Sequence, residues 1–392
     1  MAEKTVFTPD VQFVRELKEA GADTMKKCYQ CATCSVVCQL SPDDRPFPRK
    51  EMLMAQWGLK DELVKSADIW LCHNCNDCSK YCPRGARPGD VLAILRKSVI
   101  QENAFPKFMG KIAGDPKNIW QALAIPVVFF LLVLGVTGHL GIPEGEVVFS
   151  KLFPIHYIDQ IFGPLSILAI VMFGVSISRF WKNLSEGSEI KPKAGFIPSF
   201  IETLKEIMTH SKFKKCDENK DRSIAHMLVF YGFIGLFMTT LFAILFLYGL
   251  QWESPYPVDD PDILALLGGS ETAALVVRSL FKLLANVSSL ALLAGGGLII
   301  ANRLKERGVD TVTSSFDWVF AGMVLLVGAS GMLAQLFRVM NFPPVIAYLT
   351  YFLHLVFVFY IIIYVPYSKL AHFVYRTVAI TYTKMLKRDI EV

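Results

Sequence analysis

Beyond Trp120 the chain alternates long apolar runs with short polar breaks. Six runs, near residues 120–139, 158–180, 225–250, 279–301, 316–338 and 344–368, contain few or no charges. Each is long enough for a bilayer-spanning helix, which needs about 20 residues. Turn-forming segments separate them, among them Ile142-Pro143-Glu144-Gly145 and Asn341-Phe342-Pro343-Pro344. A soluble core of buried helices is the competing reading, and six such runs in one chain weigh against it. Residues 1–118 have a different texture. Apolar and polar positions are mixed there, a helix is predicted near Pro48–Gly58, and no run alternates as a strand would.

Composition agrees with a membrane chain. Of 392 residues 53% are apolar and only 19% charged, and the mean hydropathy of +0.40 excludes intrinsic disorder. The net charge of +5 is too small and too scattered to imply nucleic acid. Its placement predicts orientation instead. Segment 182–223 holds nine Lys and Arg, 302–315 holds three, and four follow Lys369, whereas 141–157 and 251–277 hold only Lys151 between them. The segment 251–277 is acidic, with Glu253, Asp259, Asp260 and Asp262. Both termini and the region before Trp120 are therefore expected on the cytoplasmic side of a cytoplasmic membrane. The opening MAEKTVFTPDVQFVRELKEA has acidic residues and no apolar run, so no signal peptide is expected there.

Eight of the nine cysteines fall within residues 28–82. In a reducing compartment such clustering points to metal and not to disulfides. The first motif is Cys28-x2-Cys31-x2-Cys34-x3-Cys38, and the second is Cys72-x2-Cys75-x2-Cys78-x3-Cys82-Pro83. Three thiolates at steps of three suit three corners of a cubane, and the fourth cysteine of such a motif reaches the other cluster. The expected sets are Cys28, Cys31, Cys34 and Cys82 for one [4Fe–4S] cluster and Cys72, Cys75, Cys78 and Cys38 for the other. Zinc is the competitor, but its tetrahedral sites use paired modules of another pattern. The first motif lacks the usual proline after its last cysteine and continues Gln39-Leu40-Ser41-Pro42. Cys216, alone beside Lys214 and Lys215, reads as structurally incidental.

Histidines supply the second chemistry, because ionisable groups in membrane helices are costly and usually functional. His354 and His372 lie 18 residues apart on the last helix and its extension, which is five turns and about 27 Å along one face. That spacing suits two b-type haems on opposite sides of a bilayer, with two satisfied interfacial histidines as the plainer alternative. His226, at the cytoplasmic start of the third span, is level with His372. For His354 the partner is His139, at a depth counted from Trp120, or His156 just outside the second span. His73, inside the second cysteine motif, and His210, in a polar segment, are weak ligand candidates. Asp159, Lys282 and Arg338 lie towards the side away from the cysteines. They are candidates for a quinone site, which needs groups that bind carbonyl oxygens and shuttle protons; ordinary interfacial anchoring is the alternative.

The cysteine region, from Cys28-Tyr-Gln-Cys-Ala-Thr-Cys to Trp70-Leu-Cys-His-Asn-Cys-Asn-Asp-Cys-Ser-Lys-Tyr-Cys-Pro-Arg-Gly, resembles the iron–sulfur C subunits of heterodisulfide reductases. The remainder resembles the cytochrome b subunits of that system and of respiratory nitrate reductase. Arg222-Ser-Ile-Ala-His226, Phe230-Tyr-Gly-Phe233 and Pro366-Tyr-Ser-Lys-Leu-Ala-His372-Phe-Val-Tyr-Arg376 carry that likeness. Fusion of the two in one chain is similar to the C subunits of quinone-interacting membrane-bound oxidoreductase (Qmo) complexes of sulfate reducers, over residues 10–385 or so. That resemblance implies two b haems and menaquinol as electron donor. It also implies two cytoplasmic flavoprotein or iron–sulfur partners like Qmo A and B, with adenylylsulfate reductase downstream. His226, His354 and His372 match the cytochrome pattern, whereas the fourth ligand has no counterpart on the third span.

The expected fold is all-α: a small cytoplasmic di-cluster ferredoxin-like helical domain, residues 1–118, a six-helix transmembrane cytochrome b bundle, 119–376, and a cytoplasmic tail, 377–392. The expected role is a membrane electron-transfer subunit of an oxidoreductase complex, in contact with lipid and quinone. A membrane subunit of a heterodisulfide reductase complex is the nearest alternative, and an ion transporter or anchor with an iron–sulfur head is another. Transporters carry matched breaks around midplane sites, and Gly295-Gly296-Gly297 is the only strong candidate break. Neither a GxGxxG nor a GxxxxGK[ST] nucleotide motif occurs.

Overall fold

The computed structural model describes residues 7–114, 116–188, 190–215, 222–245, 248, 271–305 and 315–388. Cys216, the acidic residues Glu253, Asp259, Asp260 and Asp262, most of the expected third-span end at 246–250, and residues 1–6 and 389–392 lie outside the described residues. The chain is 78% helical, with no strand among the described residues.

Short helices wrap the cysteine loops: α1 (Val11–Leu17), α2 (Thr33–Val36), α3 (Arg49–Trp57), α4 (Lys60–Lys65), α5 (Asp68–Leu71) and α6 (Asp77–Lys80). The longer α7 (Pro88–Asn103) is their spine, and α8 (Lys107–Gly114) leads to the apolar part. Helix α3 stops where Gly58 takes a left-handed conformation, φ 68°. A Cβ there would lie 2.5 Å from the Asp10 carbonyl oxygen, so both conformation and space require glycine.

The remaining helices are α9 (Ile119–Thr137), α10 (Phe149–Leu152), α11 (Ile155–Glu186), α12 (Phe196–Thr209), α13 (Arg222–Ile244), α14 (Glu271–Lys305), α15 (Ser315–Val339), α16 (Pro344–Tyr364) and α17 (Ala371–Met385). Six stretches among them are long and apolar enough to cross a membrane: α9, α11, α13, most of α14, most of α15, and α16 with α17. Neighbours pack in order, α13 on α14, α14 on α15, α15 on α16, and α16 on both α9 and α11. The glycine triplet does not break α14, which continues through it to Lys305. Instead it admits α13: a Cβ on Gly295 would stand 2.8 Å from the Val229 nitrogen and 2.9 Å from the Ala225 carbonyl oxygen. Small residues let membrane helices approach closely, so the triplet is a packing feature.

The last span departs from the single helix expected through His354 and His372. Pro366 lacks an amide hydrogen and clashes with the preceding turn. The chain passes through a 3-10 turn at Val365–Tyr367 and an extended Ser368, and helix resumes at Ala371. The two histidines therefore do not share one face. His354 is directed at α15, and His372 at α13.

Helix α17 also crosses the expected boundary at residue 377. Ala371, Tyr375, Ala379, Tyr382 and Leu386 join Phe180 and Leu184 of α11 in one core with Leu63, Trp70, Val91 and Leu95. Trp70, fully buried, stacks on Tyr375 at 5.4 Å and meets Phe180 edge-on at 5.7 Å. Beyond it Arg388 bonds Asp68 at 2.8 Å, and Lys50 bonds the other oxygen of that carboxylate at 2.7 Å. Residues 377–388 are thus part of the cysteine domain's core and ion-pair network.

Candidate functional site: two cysteine sites and a histidine cluster

Both cysteine motifs use the same backbone device. Gln30 and Ala32 in the first, and Asn74 and Asn76 in the second, have φ between 56° and 69°. Left-handed residues are uncommon outside glycine, and pairs of them turn successive amides towards one point, a favourable arrangement for anionic sulfur. The Asn74 amide donates to Cys72 Sγ at 3.3 Å, and Gln30 Nε2 donates to Cys28 Sγ at 3.5 Å. All eight cysteines are free thiols.

The motifs exchange their last cysteines. One cavity is lined by Cys28, Cys31, Cys34 and Cys82, together with Tyr29, Arg49 and Arg84; the other by Cys38, Cys72, Cys75 and Cys78, together with His73, Asn74 and Asn76. Burial pushes the Cys34 thiol up to about 11 and Cys38 to about 12, and the neighbouring cysteines of each set push the same way. Four sulfurs converging in a poorly solvated space resist ionising unless a cation shares it, and each donor set fits a four-thiolate iron–sulfur cluster. Cys31 is the exception: it is exposed, and hydrogen bonding from Thr33 lowers its pKa.

The two sites face different neighbours. The second is clamped against the apolar helices by arginine. Arg96 of α7 bonds the Cys72 carbonyl at 2.8 Å, Arg376 of α17 bonds it at 3.2 Å, and Arg222 of α13 bonds the Asn74 carbonyl at 3.4 Å. Between these arginines lies His73, whose ring nitrogens are buried without a hydrogen-bond partner. Burial draws its pKa well below the usual value, with Arg376 and Lys212 adding to the effect. His73 meets Phe213 edge-on at 4.8 Å, and Phe213 lies 5.1 Å from His226.

His226 and His372 are brought together, with ring centroids 6.5 Å apart and planes at 78°. Two imidazole–metal bonds of about 2 Å each, plus the two half-rings, add to roughly that separation. Their outward nitrogens are engaged: His372 Nδ1 contacts the Lys369 carbonyl, and His226 Nδ1 lies 3.1 Å from His210 Nε2. Each therefore keeps Nε2 to hold a metal, and a second partner on Nδ1 is the usual mark of a ligating histidine. The pair fits a bis-histidine b haem.

His354 has the same polarity, with Nδ1 3.0 Å from Ser330 Oγ. Gly331 leaves room for it; a Cβ there would stand 2.9 Å from the imidazole Cε1. Its expected partner is not level with it. Phe130 of α9 lies 6.3 Å from Phe352 and 5.7 Å from Phe359, so Phe130 shares the depth of His354. His139 follows the left-handed Gly138 that ends α9, nine residues and about 13 Å further out at helical rise. The two helices start at staggered heights, so depth counted from Trp120 does not carry over to α16. His139 Nδ1 is buried without a partner, while His156 is exposed at the start of α11. No ring contact joins either to His354 among the described residues.

The three quinone-site candidates are spread out. Asp159 is hydrogen-bonded to Tyr248, whereas Lys282 and Arg338 are exposed on α14 and α15. No hydrogen bond or ion pair links the three among the described residues.

His210 and His73, weak ligand candidates by sequence, both lie beside the inner pair. The missed signal was α12, an amphipathic helix in what read as a polar segment. Phe196, Ile197, Ile201 and Met208 are exposed on one face, while Ser199 and Thr203 pack against α17. Lys384 of α17 holds it through Glu202 at 2.9 Å and Glu206 at 3.2 Å.

Fold and site define an iron–sulfur electron-transfer protein whose cluster domain is packed onto six helices capable of crossing a membrane. The chain belongs to the citrate utilization protein B family, which it matches over residues 149–390, and residues 24–86 match the 4Fe-4S dicluster domain. It is 26% identical to citrate utilization protein B of Escherichia coli over 93% of this chain and 91% of that protein. Its cysteine domain is 36% identical to the C subunit of the H(2):CoB-CoM heterodisulfide,ferredoxin reductase of Methanothermobacter marburgensis, over 22% of this chain and 47% of the relative. It is 34% identical to a protein of Archaeoglobus profundus described as like the C subunit of heterodisulfide reductase, again over 22% and 47%. The chain thus spans about half the length of these heterodisulfide reductase relatives. No solved structure matches it.

Proposed function

We propose that this chain is the quinol-oxidising membrane subunit of a respiratory complex, both termini cytoplasmic, which passes electrons from menaquinol towards cytoplasmic flavoprotein or iron–sulfur subunits. The observation that carries this reading is the line His226–Phe213–His73 between the histidine pair and the second cysteine site. The bound groups, two b haems and two [4Fe–4S] clusters, supply the one-electron redox chemistry. The chain's own residues set the order. His226 and His372 hold the inner haem, Cys72, Cys75, Cys78 and Cys38 hold the cluster next to it, and Cys28, Cys31, Cys34 and Cys82 hold the exposed one. His354 holds the outer haem. Of its two candidate partners, His139 lies beyond its depth and His156 is exposed at the start of α11, and substitution of each decides between them. Asp159, Lys282 and Arg338 are the groups for quinone on that outer side. A complex resembling Qmo, with A- and B-like partners and adenylylsulfate reductase downstream, suits the fusion of head and helices.

Purified full-length protein should show reduced b-haem bands and about eight non-haem irons; clusters without haem would overturn the cytochrome reading. Menaquinol should reduce the haems. His354→Ala should remove one low-spin signal, and whichever of His139→Ala and His156→Ala reproduces that result identifies the fourth ligand. The likeness of the cysteine domain to heterodisulfide reductase subunits supports a second reading, a membrane subunit of that kind of complex. Co-purification from native membranes separates the two by the attached subunits.

A further inference from the structure

His210 is the least expected member of the inner cluster. It follows α12 and closes it, its amide bonding the Ile207 carbonyl, in a left-handed conformation at φ 50°. Glycine or asparagine is the ordinary occupant of such a position. A histidine there has an imperfect backbone fit, and its ring is buried, with the residue only 6% exposed. The ring is enclosed by Phe213 at 5.5 Å and Phe230 at 5.0 Å. Its two nitrogens reach two partners: Nδ1 lies 3.4 Å from the Met208 carbonyl oxygen, and Nε2 lies 3.1 Å from His226 Nδ1.

Those partners fix the hydrogens. A carbonyl can only accept, so His210 Nδ1 carries a hydrogen and, in the neutral ring, Nε2 is the acceptor. His226 Nδ1 must then be the donor, which leaves the lone pair of His226 on Nε2. The Met208 carbonyl is itself anchored, since the Tyr231 hydroxyl of α13 also donates to it. The chain Met208–His210–His226 thus runs from the end of α12 to the second turn of α13.

We propose that His210 is the positioning residue of the inner haem site: it selects the Nδ1–H form of His226 and holds that ring with Nε2 towards His372. It acts through His226 and does not itself bind the iron. This rests on the haem reading above. A hydrogen-bond acceptor on the far nitrogen of a ligating imidazole orients the ring and strengthens it as a donor, and loss of such a partner costs about 10–100-fold in affinity. A stronger donor favours the ferric ion, so removing the acceptor should raise the haem's midpoint potential. A tenfold difference between the two oxidation states would read as about 59 mV.

The test uses full-length protein in detergent, with non-haem iron as the check on folding. His210→Ala should keep about eight irons but release the inner haem about 10–100-fold more readily, with a raised potential for the haem that remains. His210→Gln offers a side-chain carbonyl to the same Nδ1–H and should restore both values most of the way. Alanine and wild-type proteins with equal haem retention and potential would overturn the proposal. Equal loss in the alanine and glutamine variants would also overturn it, because the role would then be packing. A wild-type protein with its clusters and no b haem would instead sink the haem reading itself.

Discussion

The two cysteine sites begin from nearly the same local sequence and end in opposite surroundings. Each has three cysteines at steps of three, left-handed residues at matching positions, and a fourth cysteine from the other motif. The first opens to solvent through exposed Cys31, beside exposed Tyr29, with Arg84 over its ring at 5.6 Å. The second is pinned under Arg96, Arg222 and Arg376 with His73 buried against it. A motif therefore fixes ligands, while the helices packed around it decide whether a cluster exchanges electrons inward or outward. Under the proposed function, the second is the membrane-side site and the first is the port for a partner subunit.

The strongest way to break this comparison is to uncross the sites. Cys82→Ala should spoil the exposed site and leave the buried one, lowering non-haem iron from about eight towards about four. Cys38→Ala should do the reverse. Paramagnetic spectra of the two variants should retain different signals. Identical residual spectra would mean that the sites do not exchange their fourth ligands.

Trp70 tests whether the buried site depends on the apolar helices. It lies two residues before Cys72, fully buried between Tyr375 and Phe180. Truncating a buried aromatic of this size costs about 3–5 kcal/mol. Trp70→Ala should therefore lower the thermal midpoint of the solubilised protein and shed the second cluster before the first. Loss of the first cluster alone would contradict the packing order.

Much of this arrangement was legible in the residues. Cysteine spacing foresaw the two groups of sulfurs that line the cavities, because three of each group are rigid steps along one short loop and the fourth comes from the other motif. Apolar run length predicted six spans because the bilayer imposes it. Relations between helices were not legible. The Pro366 break turns His354 and His372 to different neighbours, and the stagger of α9 against α16 carries His139 past the depth of His354. His210 sits 16 residues from His226, on the far side of a segment outside the described residues, and only α12's packing on α17 brings it back. Asn74 and Asn76 could have been read as left-handed turn formers, but Gln30 and Ala32 carry no such signal.

A smaller effect is expected at the open site. Arg49 and Arg84 line it, and Lys80 lies over Tyr81 at 5.9 Å on the same stretch of chain. Charges at the rim of an electron-transfer contact govern encounter rate more than affinity. The double substitution Arg49→Glu, Arg84→Glu should keep both clusters yet slow reduction of an acidic cytoplasmic acceptor by about tenfold at low salt, with the difference shrinking as ionic strength rises. A salt-independent defect would point to damage at the cluster and not to docking.

A pH dependence is expected at Glu51 of α3. Its carboxyl is buried, and its pKa is raised to about 7, first by burial and then by the charge of Asp68, against the pull of Lys50. The folded form therefore holds a proton that the unfolded chain gives up near pH 4.5. As pH rises from about 4.5 to about 7, folding loses the benefit of that proton, and above about 7 the penalty is constant. At about 1.4 kcal/mol per pKa unit, the loss between about pH 4.5 and about pH 7 is on the order of 3–4 kcal/mol. Glu51→Gln has no proton to lose, so its thermal midpoint should change less between pH 5 and pH 8 than that of the parent, with the largest gain over the parent at the alkaline end. The Lys50–Asp68–Arg388 pairs run through this region to α5 and the second motif. Cluster loss above neutral pH should accordingly begin at the buried site, and a Glu51→Gln profile that parallels the parent's would show that the carboxyl is already ionised in the folded protein.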